Sequence, residues 1–428
     1  MTATDAADAG SRPAAGYSSV FRVREFRAVF AAHLMSVLGV VVAEIALTVL
    51  VFRLTGSPLM SALTFALGFL PHALGGTLLA GIADRYPARR VLVGCDLLCA
   101  ACAALMVLPG TPVAVLLGLR CAMAAVAPLF QGTRAASLAD ILGTGDAFVL
   151  GRSLLRMIAQ SALLTGFGLG GLLLTAVSPR GAIAVTAAGF AGSALLLRLG
   201  TRARPARAGA PPGGTRTSPL AGLRAVLGPR RLRALALLSW LPPLFLVVPE
   251  ALMAPYADRL GLGTAALGLL MCALPAGTIA GELWAGSALS PRTRSRITAP
   301  LAAVALLPLL GYALRPGLAV TLVLLLLAGL AQAYTLELDA WYVEAVPEEL
   351  RGRAMTLLST GLMTLQGVGM AAAGLAAEFL PLPAVVAGAG ALGTLCVAAL
   401  LAELVRSRNE PRNEPRKEPS NETGLFTK

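Results

Sequence analysis

Runs of roughly 20 apolar residues recur along this 428-residue chain, and a run of that length crosses a ~30 Å hydrocarbon core at ~1.5 Å per residue. Inside a bilayer no water satisfies backbone amides and carbonyls, so such runs fold as helices. Twelve are found, at approximately 28–52, 59–82, 91–109, 112–131, 153–177, 181–199, 234–256, 264–288, 297–314, 317–336, 354–378 and 384–405. Only 13% of the residues are charged, where a soluble chain carries about a quarter. The chain is therefore predicted to be an all-α integral membrane protein with twelve transmembrane helices, numbered here as spans 1 to 12.

The net charge of +13 is distributed in a way that argues against nucleic acid as a partner. With twelve spans and the N-terminus inside, the external loops hold only Arg53, Arg180, Arg259 and Arg315, and nearly every other basic residue faces the cytoplasm. That is the positive-inside bias that sets orientation during insertion, and the same charge favours anionic lipid. Residues 1–27 are polar and carry Arg12, Arg22, Arg24 and Arg27, which reads as a cytoplasmic tail rather than a cleaved signal. Residues 406–428 contain Arg-Asn-Glu-Pro, its repeat and Arg-Lys-Glu-Pro, and are expected to be a disordered cytoplasmic tail. Both termini inside, with the chain in the cell (plasma) membrane, is the expected topology. On that side the Asn421-Glu-Thr triplet is no glycosylation acceptor.

One spacing runs through the polar residues. Arg27 and Glu44 recur as Arg233 and Glu250, both 206 residues on (233−27 = 250−44 = 206). Arg53 and Arg259, Gly75 and Gly281, Arg90 and Arg296, Gln160 and Gln366, and Gly168 and Gly374 keep the same offset. Polar matches inside apolar helices at one spacing indicate an internal duplication. The expected organisation is two pseudo-symmetric six-helix bundles, residues 28–199 and 234–405. Between them, 200–233 form a basic cytoplasmic linker rich in Arg, Pro and Gly.

Between spans 2 and 3 the chain reads Gly81-Ile-Ala-Asp84-Arg85-Tyr-Pro-Ala-Arg89-Arg90. Positive-inside charge alone accounts for the arginines but not for Asp84, which with them can form a compact ion-pair cluster. This loop resembles the signature of the major facilitator superfamily at Asp84, Arg85, Arg89 and Arg90. It departs at Ala80, where the family has Gly, and at Pro87, where the family has a second Gly. Ser290-Pro-Arg292-Thr-Arg294-Ser-Arg296 is a weaker echo after span 8. The resemblance covers residues 20–405 and implies that Asp84 and its arginines form a gating loop that holds the cytoplasmic side shut in one state.

Within that family the chain looks most like bacterial drug and siderophore exporters, on the phrases Phe-Gln-Gly-Thr-Arg134-Ala-Ala-Ser-Leu-Ala-Asp140 and Glu-Glu-Leu-Arg351-Gly-Arg353-Ala. Gly166-Phe-Gly168-Leu-Gly170-Gly171 in span 5 is similar to the exporters' glycine-rich antiporter motif, with Phe167 in place of its Pro and Ala162 at an upstream Gly position. Small residues let helices approach closely, whichever coupling applies.

Arg120 in span 4 is the most function-like single residue, since a cation inside a span costs roughly 2.5–3.5 kcal/mol unless it faces a cavity or an acid. It occupies the place of the span-4 arginine that the family associates with proton coupling. Glu44 lies ~24 Å along span 1 and Arg120 ~12 Å below the outer end of span 4, heights about 6 Å apart. Two arrangements stand open: a pair, or each satisfied separately by water or backbone. Glu250 follows Pro242, Pro243 and Pro249, where the helix is expected to kink or open. It either binds a cation there or pairs with Arg259 at the interface. Glu44, Arg120 and Glu250 are the proton-coupling candidates, and Gln160 and Gln366 are candidates first for interhelical hydrogen bonds and then for the substrate cavity. Glu282 and Asp96 read as structural ion-pair partners, and His33 as a headgroup-level residue. Cys95, Cys99 and Cys102 share a helix face as apolar filler.

No P-loop, metal-ligand spacing or nucleophile motif occurs, so no cofactor or metal is expected and the chain reads as no enzyme. The expected function is a monomeric secondary transporter that exports a small lipophilic or amphipathic compound, driven by protons through alternating access. With aromatic residues at 5%, its cavity is expected to be mostly aliphatic and glycine-lined, which suits such a compound better than a sugar. Uptake, flipping of a lipid-like substrate, or a transport-inactive sensor or intramembrane enzyme are the alternatives.

Overall fold

In a computed structural model of the chain, residues 20–79, 82, 85–143, 146–204, 228–346 and 351–409 are described. They are helical nearly throughout, and no strand occurs among them. Among the described residues, eleven helices are long and apolar enough to cross a membrane. Span 1 is Arg24–Thr55, span 3 Ala88–Val107, span 4 Val113–Leu142, span 5 Asp146–Ala176 and span 6 Pro179–Gly200. Span 7 is Arg230–Arg259, span 8 Thr264–Ala288, span 9 Arg292–Leu314, span 10 Leu318–Ala345, span 11 Arg351–Phe379 and span 12 Leu382–Asn409. Span 2 is split into Pro58–Phe69 and Pro71–Leu78. Pro71 has no N–H to offer the Leu67 carbonyl, so the helix turns at Leu70. The opening expected in span 7 does not occur. Pro242, Pro243, Pro249 and Pro255 all lie inside one helix, because each proline removes only its own donor and neighbouring spans enclose the rest.

Chain reversals use a recurring local device. Ser57, Ser178 and Ser290 each precede a proline at a helix start and accept, through Oγ, the amide hydrogens of Met60, Gly181 and Thr293 at 3.2, 3.1 and 3.3 Å. The serine satisfies an otherwise orphan N–H, and the proline sits where no N–H is needed. Below, the side of the molecule at Arg24, Ala88, Gly200 and Arg230 is called the near side, and that at Thr55 and Val107 the far side.

The duplication read from the sequence reappears as packing. Span 1 packs on span 6 as span 7 does on span 12; span 2 packs on span 4 as 8 does on 10; span 1 packs on 5 as 7 does on 11. Between the bundles, span 2 meets span 11 and span 5 meets span 8, pairs that exchange when the halves are exchanged. Gly75 and Gly281 perform one task in both copies. A Cβ at Gly75 would lie 1.9 Å from the Ala125 carbonyl oxygen, and one at Gly281 would lie 2.3 Å from that of Leu330. Only glycine lets these backbones touch.

Burial along span 1 changes character with depth. At its near end the buried residues Phe26, Val29, Ala32, His33 and Ser36 follow helical spacing, so one face is covered. From Ala43 to Val51 every residue is buried, and span 7 is likewise buried over Ala251–Ala257. Span 1 is thus enclosed on all sides at the far end, where Ile45, Thr48 and Phe65 meet Ala254, Leu267 and Met271. Glu378 of span 11 adds a polar tie there, accepting from Ser57 Oγ and, at 3.0 Å, from the Leu59 amide of span 2. The bundles are closed together on the far side. Outward-facing Leu97, Leu172, Val185, Leu199 and Leu395 are all more than half exposed, a surface suited to lipid rather than water.

Candidate functional site: a polar cavity in the first bundle

A cavity of about 600 Å³ runs into the first bundle, and every residue that lines it comes from spans 1 to 6. Its lining includes Glu44, Asp96, Arg120, Arg134, His33 and His72. As expected, most of the lining is apolar, but among the described residues it holds a single glycine, Gly68, and these six charged or imidazole side chains were not all anticipated there. Local sequence explains the placement. Arg134 is four helical turns beyond Arg120 (134−120 = 14) and Glu44 three turns beyond His33 (44−33 = 11), so each helix turns one polar stripe inward.

At the deep end Arg120 Nη2 donates to Glu44 Oε1 at 2.5 Å, and the side chains are only 8% and 10% exposed. Of the two arrangements left open by the sequence, the structure has the pair. Span 2 makes room for it. A Cβ at Gly68 would lie 2.2 Å from Arg120 Nη2 and 3.1 Å from Glu44 Oε1, so the pair rests against bare backbone. Arg120 Nε and, one turn beyond Gly68, His72 Nδ1 are buried with no hydrogen-bond partner among the described residues. A buried ion pair is costly to break from one side, since that strands the other charge.

At the near end Arg134 Nη1 lies 2.5 Å from His33 Nδ1. A guanidinium can only donate, so this ring nitrogen accepts and His33 carries its proton on Nε2. The Arg134 Cζ sits 5.2 Å from the centre of the Phe130 ring, close enough for a cation–π contact. Asp96 accepts from Ser36 Oγ at 3.0 Å and from Ser193 Oγ at 2.5 Å, tying spans 1, 3 and 6 together. Two sequence readings are corrected here. His33 is buried and faces the cavity rather than the headgroups, and Asp96 is held by hydroxyls rather than by an ion pair.

Glu250 occupies a separate recess of about 10 Å³ with Leu246, Pro249, Met253, Met271 and Leu325 among its walls. Among the described residues it has no ion-pair partner, Arg259 included. Gln366 is half-buried on span 11 and does not line the cavity; Gln160 is on span 5, its side chain outside the described residues. In the gating loop, Asp84 lies outside the described residues, Arg85 and Arg90 are exposed and Arg89 is half-buried at the start of span 3. Arg294 Nε donates to Glu337 Oε2 at 2.8 Å, across spans 9 and 10. Cys95, Cys99 and Cys102 are buried and free.

The glycine run of span 5 lies between spans 1 and 8. Gly166 and Gly170 face Val41 and Ile45, while a Cβ at Gly171 would lie 2.5 Å from Gly268 Cα. Its role here is close packing across the bundle interface.

Comparison with known proteins bears on the class. A sequence profile described as Major Facilitator Superfamily matches residues 29–336. No curated protein matches in sequence. Among solved structures, a peptide transporter POT in complex with sulfate is similar over 95% of this chain and 99% of its own, at TM-score 0.71 and 14% identity. The nucleoside transporter NupG is similar over 89% and 99%, at 0.67 and 16%. A bacterial homolog of the human lysosomal transporter Spinster, inward-facing and unoccupied, is similar over 93% and 96%, at 0.61 and 17%.

Proposed function

This chain belongs to the major facilitator superfamily, and from that premise we propose that it is a proton-coupled secondary transporter that exports a small amphipathic compound, with the Glu44–Arg120 pair as its coupling element. The observation that carries this reading is the 2.5 Å contact between two buried, opposite charges in the cavity wall. Protonating Glu44 removes the countercharge of Arg120, whose isolation inside a span is unfavourable. The pair is then a two-state element on which proton and substrate both act, which is what coupling requires. Closure on the far side and a cavity reaching toward the near side suit loading from the near side. With the positive-inside rule, that side is the cytoplasm.

The same reading puts both termini and the 200–233 linker in the cytoplasm, makes the chain a monomer in the cell membrane, and gives Asp84, Arg85, Arg89 and Arg90 the gating role. Outward transport is supported by the exporter-like phrases around Arg134 and Arg351 and by the span-5 glycine run. Glu250 is the second proton candidate, half-buried in an apolar recess. Gln160 remains a secondary candidate for substrate contact, and Gln366, which lies outside the cavity, keeps its interhelical role.

The test is transport of a fluorescent amphipathic dye by the reconstituted full chain under an imposed pH gradient, for the native protein, Glu44→Gln and Arg120→Ala. Both variants are expected to lose gradient-driven transport while keeping their thermal stability within several degrees. Undiminished gradient-driven transport in both would remove the coupling role.

A further inference from the structure

We propose that the near end of the cavity is a binding site for an organic anion, and that the transported compound is an amphiphile whose carboxylate, sulfonate or phosphate group is held by Arg134. This rests on the transport reading above and names the substrate class of its cavity.

Two guanidinium groups line the cavity, and Arg120 has a carboxylate at 2.5 Å. Arg134 has none within ion-pair distance among the described residues. Its hydrogen-bond partner is a neutral imidazole nitrogen, and its Cζ lies over the Phe130 ring. The other acid at this level, Asp96, bears on Arg134 at longer range but has each oxygen occupied by a hydroxyl, Ser36 on Oδ1 and Ser193 on Oδ2. The cation is thus held in place without being neutralised by contact. A cation at such depth is retained where it meets an acid or serves a substrate.

Geometry supports the second use. A guanidinium carries five N–H donors, of which the His33 contact uses one, and the others include a planar fork matched to two oxygens of one anionic group. His33 fixes one end of the fork, as a supporting residue does in a prepared site. Most of the remaining wall is apolar. Phe69, Met123, Val126, Leu155 and Phe190 line the same cavity, whose volume of about 600 Å³ is within the usual range for small-ligand pockets. A compound with one anionic end and a ring-sized apolar body satisfies both parts. A cationic amphiphile would meet Arg134 with like charge.

The test measures binding of 1-pyrenebutyrate, its uncharged amide and cationic 1-pyrenebutylamine to the purified full chain, followed by pyrene fluorescence. The carboxylate is expected to bind at least roughly tenfold more tightly than the amide, as a charge-assisted hydrogen bond would give, with the amine weakest. Arg134→Gln is expected to erase the preference for the carboxylate while leaving the amide's affinity unchanged. Arg134→Lys, which keeps charge but not the fork, should retain only part of it and guards against a variant that fails to fold. Equal binding of the three probes by the native chain would overturn the proposal, as would an Arg134→Gln protein of native melting temperature that keeps the preference. Glu44→Gln separates the two readings, because it should abolish gradient-driven transport yet leave the preference for the anion in place.

Discussion

Replacing Gly68 by alanine is expected to disable the Glu44–Arg120 pair without touching either residue. The added methyl would lie 2.2 Å from Arg120 Nη2, where ordinary contact begins near 3.4 Å. Nη2 must therefore retreat by roughly 1 Å, which carries the 2.5 Å contact past the ~3.2 Å limit of a good hydrogen bond. At an effective dielectric near 20 the Coulomb attraction weakens by about 2 kcal/mol. The lost charge-assisted bond overlaps with that figure, and the helical preference for alanine returns up to ~1 kcal/mol. A net effect of about 1–2 kcal/mol corresponds to roughly five- to thirtyfold in the population that keeps the pair closed. The assay is a double-mutant cycle of Gly68→Ala with Arg120→Ala, read by apparent melting temperature and by gradient-driven transport. Gly68→Ala should lower the melting temperature by several degrees in the native background and be neutral or slightly stabilising beside Arg120→Ala. Equal destabilisation in both backgrounds would refute the reasoning, since Gly68 would then act on something other than the pair.

Two further outcomes follow from the packing. Glu378→Ala removes the tie to Ser57 and Leu59, and because the site is exposed the closed far side should lose only a few-fold of its population. Alkylation of a cysteine placed at Thr48 should then speed up by that factor, and an unchanged rate would mean the tie holds nothing closed. Gly171→Ala meets the backbone of Gly268 and should destabilise by about 1–3 kcal/mol, whereas Gly189→Ala, which meets open space, should not. Similar melting temperatures for the two would refute the close-packing role.

Much of the architecture was legible because lipid simplifies the code. Apolar runs long enough to span can only be helices, and a repeated offset among buried polar residues survives when the sequence around it has drifted. The Glu44–Arg120 pair was approachable because depth can be counted at ~1.5 Å per residue. Depth alone said nothing about rotation. His33 and Asp96, each close to a span end, looked like headgroup or ion-pair residues when taken singly. The signal that finds them is helical spacing taken jointly, His33, Ser36 and Glu44 on span 1, Arg120 and Arg134 on span 4. His72 gave no sequence signal beyond its place after Pro71. The cavity's confinement to one bundle depends on how twelve helices tilt, which no periodicity carries.

The confinement of the cavity to spans 1 to 6 bears on the molecule's ancestry. Two copies that share one packing scheme differ in their interiors: the first encloses the cavity and its charged groups, and the second packs in the same way without them. Glu250, the counterpart of Glu44, sits walled off among leucines, prolines and methionines, while Leu326 stands where its arginine would be. Symmetry in this chain is therefore mechanical and not chemical.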